Sequence, residues 1–174
     1  MADGVLPILY LDVDGTLLPF GNGGPAYASG PIASGSPLLG RLDRSLGPRL
    51  ADLRCELVWA TAWESEANEV LSPLLGLSEL AVVSWCASDA PSGLHWKTPS
   101  LVEWAAGRPF AWVDDELTNR DRAWVTDYHP APTMLRRIDS HVGLSRSDID
   151  TIAGWLDEVA RTSDTARPLP GMIP

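Results

Sequence analysis

Two short acidic clusters, Asp12-Val13-Asp14-Gly15-Thr16 and Asp114-Asp115-Glu116, each stand directly behind an apolar run. Carboxylates gathered this way ligate hard cations and exchange protons, and a glycine among them lets the backbone come close to a ligand. With Gly15 next to Asp14, the first cluster has the makings of a site for a metal and a phosphate. The second cluster points the same way, because three consecutive acids repel one another unless a cation lies nearby. Thr61, ending Leu57-Val58-Trp59-Ala60-Thr61, offers a hydroxyl and the N–H groups that follow it to a phosphoryl oxygen, or simply N-caps a helix. Lys97, in Gly93-Leu94-His95-Trp96-Lys97, read alone is a solvated surface cation.

Only a frame that gathers these positions gives them a joint chemistry. Apolar runs predict strands over Val5 to Val13, Glu56 to Ala60, Leu80 to Trp85, Pro109 to Val113 and Thr133 to Ile138. Helix signals lie between them: Pro37 after Ser36, Glu64 through Leu75 stopping at Gly76, Thr98-Pro99 toward Trp104 and Gly107, and Leu117 through Tyr128. Ser145 is the expected cap of a last helix from Arg146 to Arg161, with Ile149, Ile152, Ala153, Leu156 and Val159 on one face. Strands alternating with helices predict an α/β fold around a parallel sheet of about five strands, with helices on both faces. Ligands of such sheets bind at the carboxyl ends of the strands, which is where both acidic clusters fall.

At 174 residues, 45% apolar and 21% charged, the chain suits one domain over residues 1–161, soluble and without a membrane span. The N-terminus lacks the pattern of a signal peptide, which predicts a cytoplasmic protein. A net charge of −10 argues against a sequence-independent grip on nucleic acid, although a small phosphorylated end could still bind locally. Cys55 and Cys86 read as small buried residues rather than a disulfide, and His95, His129 and His141 lack zinc-site spacing. The Gly-, Pro- and Ser-rich stretch from about residue 19 to Ser36 predicts a loop or small flap beside the site, and residues 162–174 a loose tail.

Taken in order, Asp12-Val13-Asp14-Gly15-Thr16, Thr61, Lys97 and Asp114-Asp115 resemble the four motifs of the haloacid dehalogenase-like hydrolase superfamily, over roughly residues 5 to 140. A narrower likeness, in Trp59-Ala60-Thr61-Ala62-Trp63, Ala67-Asn68, His95-Trp96-Lys97 and Trp112-Val113-Asp114-Asp115-Glu116, is to the branch associated with multidomain RNA-repair proteins. The resemblance implies a three-layer Rossmann-like fold with strand order 5-4-1-2-3. It implies phosphomonoester hydrolysis in which Asp12 attacks phosphorus to form an aspartyl-phosphate, while Asp14 acts as acid and then base. Magnesium would be held by Asp12, the Asp14 carbonyl and the Asp114-Asp115 pair, with Asp115 favoured as ligand and Asp114 as partner of Lys97. Lys97 would neutralise phosphoryl charge and Thr61 orient the group, with Val13, Gly15, Ala62 and Trp63 around the substrate.

No inserted lid fits the chain, since about 45 residues separate Asp14 from Thr61 and a loop, a helix and a strand occupy nearly all of them. An uncovered site suits a bulky phosphorylated substrate, a polymer end or protein, or a homo-oligomer whose neighbour supplies the cover. Of the eight tryptophans, Trp59, Trp85, Trp104, Trp112 and Trp155 fall on expected core faces, whereas Trp63 and Trp96 suit packing and the substrate entrance equally. Arg120 and Arg122 read as solvated helix residues ahead of a role on a distal phosphate. Three other functions compete: a dehalogenase, which would not need the metal ligands; a silent phosphate-binding or interaction module, which would not need both Asp12 and Asp14; and a phosphotransferase.

Overall fold

The computed structural model describes residues 5–21, 37–85 and 90–165. Within them five parallel strands form one sheet: β1 (Ile8–Leu11), β2 (Glu56–Trp59), β3 (Ala81–Val82), β4 (Phe110–Asp114) and β5 (Thr133–Arg137). Their spatial order is β3-β2-β1-β4-β5, which is the expected order read from the other edge. Helices α1 (Leu46–Ala51), α2 (Glu66–Leu75), α3 (Thr98–Ala105), α4 (Asn119–Tyr128) and α5 (Arg146–Thr165) complete an α/β fold of the three-layer, Rossmann-like kind.

Strand parity sorts the core into two layers. Leu9, Leu11, Trp59, Ala111 and Val113 face α1, α2 and α5, whose Leu46, Leu50, Leu71, Ile149, Ile152 and Leu156 close over them. The alternate residues, Ile8, Tyr10, Val58, Phe110 and Trp112, face α3 and α4 through Leu101, Ala105 and Val125. All four residues of β1 are fully buried, each contributing roughly 1.5–3 kcal/mol of hydrophobic stabilisation. The Tyr10 hydroxyl donates to the Leu101 carbonyl at 2.9 Å and fastens α3 to the central strand.

Several expected boundaries shift for local reasons. Strand β1 is shorter than Val5 to Val13, because Val5 and Leu6 are exposed and the Val13 carbonyl is taken by a turn that receives the N–H groups of Thr16, Leu17 and Leu18. Strand β3 is a two-residue pairing at the sheet edge, a common way of blunting an exposed edge. Helix α2 starts at Glu66 rather than Glu64, since Glu64 has φ of 50°, outside the helical region. The segment after Pro37 forms a short 3-10 turn over Pro37–Arg41 and breaks before α1, where Asp43 Oδ1 accepts the Ser45 N–H. Helix α4 begins behind Thr118, which forms a capping box with Asp121 that an Asp in place of Glu or Gln conceals in the sequence. Helix α5 is capped by Ser145 and runs to Thr165, four residues beyond the expected Arg161. Most of the expected flap, Cys86 and the tail beyond Thr165 lie outside the described residues. Among the described residues no helix is long and apolar enough to cross a membrane.

Candidate functional site

Asp12 follows β1 and Asp114 ends β4, and the two strands are neighbours in register from Ile8↔Phe110 to Leu11↔Val113. Both continue the parity of Tyr10 and Trp112, so both carboxylates are offered on the α3 side of the sheet. Lys97 stands immediately before α3 on that side. Its Nζ donates to Asp12 Oδ1 at 2.5 Å and to Asp114 Oδ2 at 2.8 Å, with all three side chains buried. The other oxygen of Asp12 accepts from Thr16 Oγ1 at 3.1 Å, and Asp114 Oδ1 accepts the Glu116 N–H at 2.9 Å.

Asp115 completes the cluster, and Gly15 makes room for it. A Cβ on Gly15 would sit 2.3 Å from Asp115 Oδ2, so any side chain there would displace that carboxylate; the φ of 72° independently favours glycine. Oxygens of Asp12, Asp114 and Asp115 all lie within 4.8 Å of one another. Lys97 bonds two of the three carboxylates and Asp115 stands beside them, a formal excess of negative charge that a divalent cation would offset. An all-oxygen set suits a hard cation such as magnesium or calcium.

Electrostatics follow from this crowding. Burial pushes the Asp12 carboxyl up against the pull of Lys97, and Asp114 and Asp115 add to the rise. Burial, then Asp114 and Glu116, push Asp115 up to about 6. Burial works to depress the Lys97 ammonium, but Asp12 and Asp114 together overcome it and hold the lysine above its ordinary range, hence charged. Burial also raises Asp14, partly offset by its bond to Trp63.

The Asp14 carboxyl, expected to move protons rather than hold metal, lies apart from the three clustered carboxylates. Asp14 turns toward the end of β2, where the Trp63 indole N–H donates to its Oδ2 at 3.0 Å. Trp63 is therefore a buried support of Asp14 rather than an exposed wall of an entrance. Thr61, also buried, sits one strand over from Asp12 and accepts the Trp63 N–H at 3.2 Å, forming the tight turn in which Ala62 is exposed. The Val13 side chain is in the core, so only its backbone can face a ligand. Trp96, by contrast, is 45% exposed, stacked on His95 and edge-on to Trp85. The guanidinium of Arg122 is used on the Leu135 carbonyl, and Arg120 lies against Gly93.

Two supports escaped sequence reasoning. Asp121 accepts from Thr118 N, Thr98 Oγ1 at 2.7 Å and the His95 N–H at 2.8 Å, tying α4 to the loop that delivers Lys97. Asn68 accepts the Trp59 indole N–H at 2.9 Å and bonds the Leu80 N–H and carbonyl, joining β2, α2 and the start of β3. Asn68 stands in the Ala67-Asn68 pair of the narrower likeness and Asp121 in a Thr-x-x-Asp pattern, but neither signal names the long-range partners that these side chains hold. In comparisons with known proteins, the chain matches no family model, no curated protein and no solved structure.

Proposed function

We propose that the chain is a magnesium-dependent phosphomonoester phosphatase of the haloacid dehalogenase-like type, with Asp12 as nucleophile. The observation that carries this reading is the Lys97 ammonium shared between Asp12 and Asp114, with Asp115 alongside, at the carboxyl edge of the sheet. A buried carboxylate bonded to a lysine and crowded by two further acids is costly as mere structure. The same arrangement is useful if a dianionic phosphate and a cation are to be held there.

Asp12, Asp114 and Asp115 would hold the magnesium ion, which when bound screens the repulsion between the carboxylate and the phosphate and polarises the P–O bonds. In the first half of the reaction an Asp12 oxygen bonds to phosphorus as the ester P–O bond breaks. Asp14 gives its proton to the departing alkoxide, a role suited to its raised carboxyl. In the second half Asp14 takes a proton from water, whose oxygen bonds to phosphorus and releases phosphate, restoring Asp12. Lys97 is charged throughout and stabilises phosphoryl oxygens. The Thr61 hydroxyl and the backbone of Val13 to Gly15 and Ala62 position the group.

A screen of phosphorylated sugars, nucleotides, peptides and 3′- or 5′-phosphorylated oligonucleotides, with and without magnesium, tests the activity. Asp12→Asn is expected to fold, because Lys97 keeps Asp114, and to lose at least about a thousandfold in kcat. Near wild-type turnover in that variant would exclude Asp12 as nucleophile, and turnover in excess EDTA would exclude the metal.

A further inference from the structure

Beyond the cluster, on the β5 side, a cleft of about 510 Å³ opens against Asp115 and is lined by Arg137, Asp139, Ser140 and His141. Its volume suits a small organic group. We propose that this cleft is a second anion subsite built on Arg137. The substrate, if the site is a phosphatase as argued above, is then a phosphomonoester bearing another anionic group, carboxylate or phosphate, a few bonds from the phosphate that is removed.

The reasoning starts from neighbouring arginines. Arg136 and Arg137 close β5, and Arg136 is neutralised by Asp148, with Nη2 2.5 Å from Oδ1. Arg137 has no carboxylate within ion-pair distance among the described residues. It is the register partner of Asp114, and its Nε donates to the Asp115 carbonyl at 3.0 Å. That bond anchors the guanidinium on the backbone of Asp115, itself a candidate metal ligand, and leaves its terminal Nη groups without a partner among the described residues. Guanidinium groups held this way are suited to carboxylate and phosphate oxygens.

Several other groups of the cleft are used within its own loop, although Asp139 keeps a carboxylate on the rim that an incoming anion must pass. Asp139 Oδ1 accepts the His141 N–H at 2.9 Å, and the Ser140 carbonyl accepts the Phe20 N–H at 2.7 Å. His141 Nδ1 lies 3.0 Å from the Gly21 carbonyl, which fixes the ring on the rim. Asp115 belongs to the metal-binding set. Arg137 is therefore the cation left to meet an anion entering the cleft.

Matched substrates test this in the presence of magnesium. Glycerol 3-phosphate against 3-phosphoglycerate isolates a carboxylate, and glucose 6-phosphate against glucose 1,6-bisphosphate isolates a second phosphate. The expected result is that the wild-type protein favours the more anionic member of at least one pair in kcat/KM. Arg137→Gln should lower that preference about tenfold. Arg137→Lys, which keeps the charge but loses the Nε bond to Asp115, should retain most of it. No preference in either pair overturns the proposal, as does an equal loss on both members in Arg137→Gln, the mark of a purely structural arginine. Hydrolysis without preference overturns the subsite alone. No hydrolysis of any of these esters or of 4-nitrophenyl phosphate overturns the phosphatase reading with it.

Discussion

Asp12 and Asp115 hold protons in the native state that an unfolded chain would release near pH 4, because burial and crowding disfavour their charged forms. The sign of the linkage follows. Where the native state binds more protons than the unfolded one, stability falls as pH rises. In the metal-free protein these two groups should withdraw stability from about pH 4 upward, through the region near pH 6 where Asp115 titrates, against the opposite contribution of depressed carboxyls such as Asp121 and Asp148. A divalent cation held by the charged carboxylates, as proposed, would reverse that loss. Thermal melts in EDTA and in millimolar magnesium should therefore show a larger magnesium-induced rise in Tm at pH 8 than at pH 5, about 2–4 °C for each kcal/mol of binding linkage. Equal rises at both pH values would place the metal away from these groups.

Element by element, the site depends on a few polar residues that lock loops to helices. Asp121 is the leading case. Burial alone would raise its carboxyl, but bonds from Thr118, Thr98 and His95 overcome this and hold it below the ordinary range. A depressed carboxylate stabilises the fold at pH values above its unfolded value near 4 and loses that contribution as pH falls through the folded value. Asp121→Ala removes the N-cap partner of α4 and frees the His95 to Lys97 loop. It should cost about 2–4 kcal/mol in denaturant unfolding and lower kcat more than it raises KM, since Lys97 is displaced while the carboxylates stay. An unchanged kcat in the folded variant would show that Lys97 is held by its two carboxylates alone. Gly47 has a comparable part on the opposite layer: a Cβ there would meet the Leu75 carbonyl oxygen at 1.7 Å, so α1 crosses α2 at a separation only glycine permits.

Across the whole molecule, the clustered side chains converge from the end of β1, the residue before α3 and the end of β4 of one chain. Sheet closure alone builds the cluster, and no neighbouring copy is needed to complete it. Mixing inactive Asp12→Asn with inactive Lys97→Ala protein should consequently restore no activity at any concentration. Recovery on mixing would mean that groups are exchanged between chains. The net charge of −10 sets the wider field, so the proposed anionic substrate would depend on local cations, Lys97 beside Asp12 and Arg137 at the cleft.

Apolar runs alternating with helix signals were enough to give the strands and their parallel pairing, and the acids behind the first and fourth runs marked the carboxyl edge, because burial on both faces demands continuous hydrophobicity. Ser145 and Gly76 likewise marked helix ends by local chemistry that needs no tertiary context. Side-chain direction after a strand is different, since it depends on which neighbour offers a partner. Asp12 and Asp14 stand two residues apart and looked alike, yet one meets Lys97 and the other Trp63. Trp63 and Trp96 were equally placed by spacing, and packing buried one and left the other exposed. The bonds of Asp121 and Asn68, and the different partners of Arg136 and Arg137, arise from long-range neighbours. The sequence by itself determined the sheet and the acids at its edge, through hydrophobic pattern and local capping. Only the tertiary structure decided which carboxylate faces which cation, because those choices are made between residues far apart in the chain.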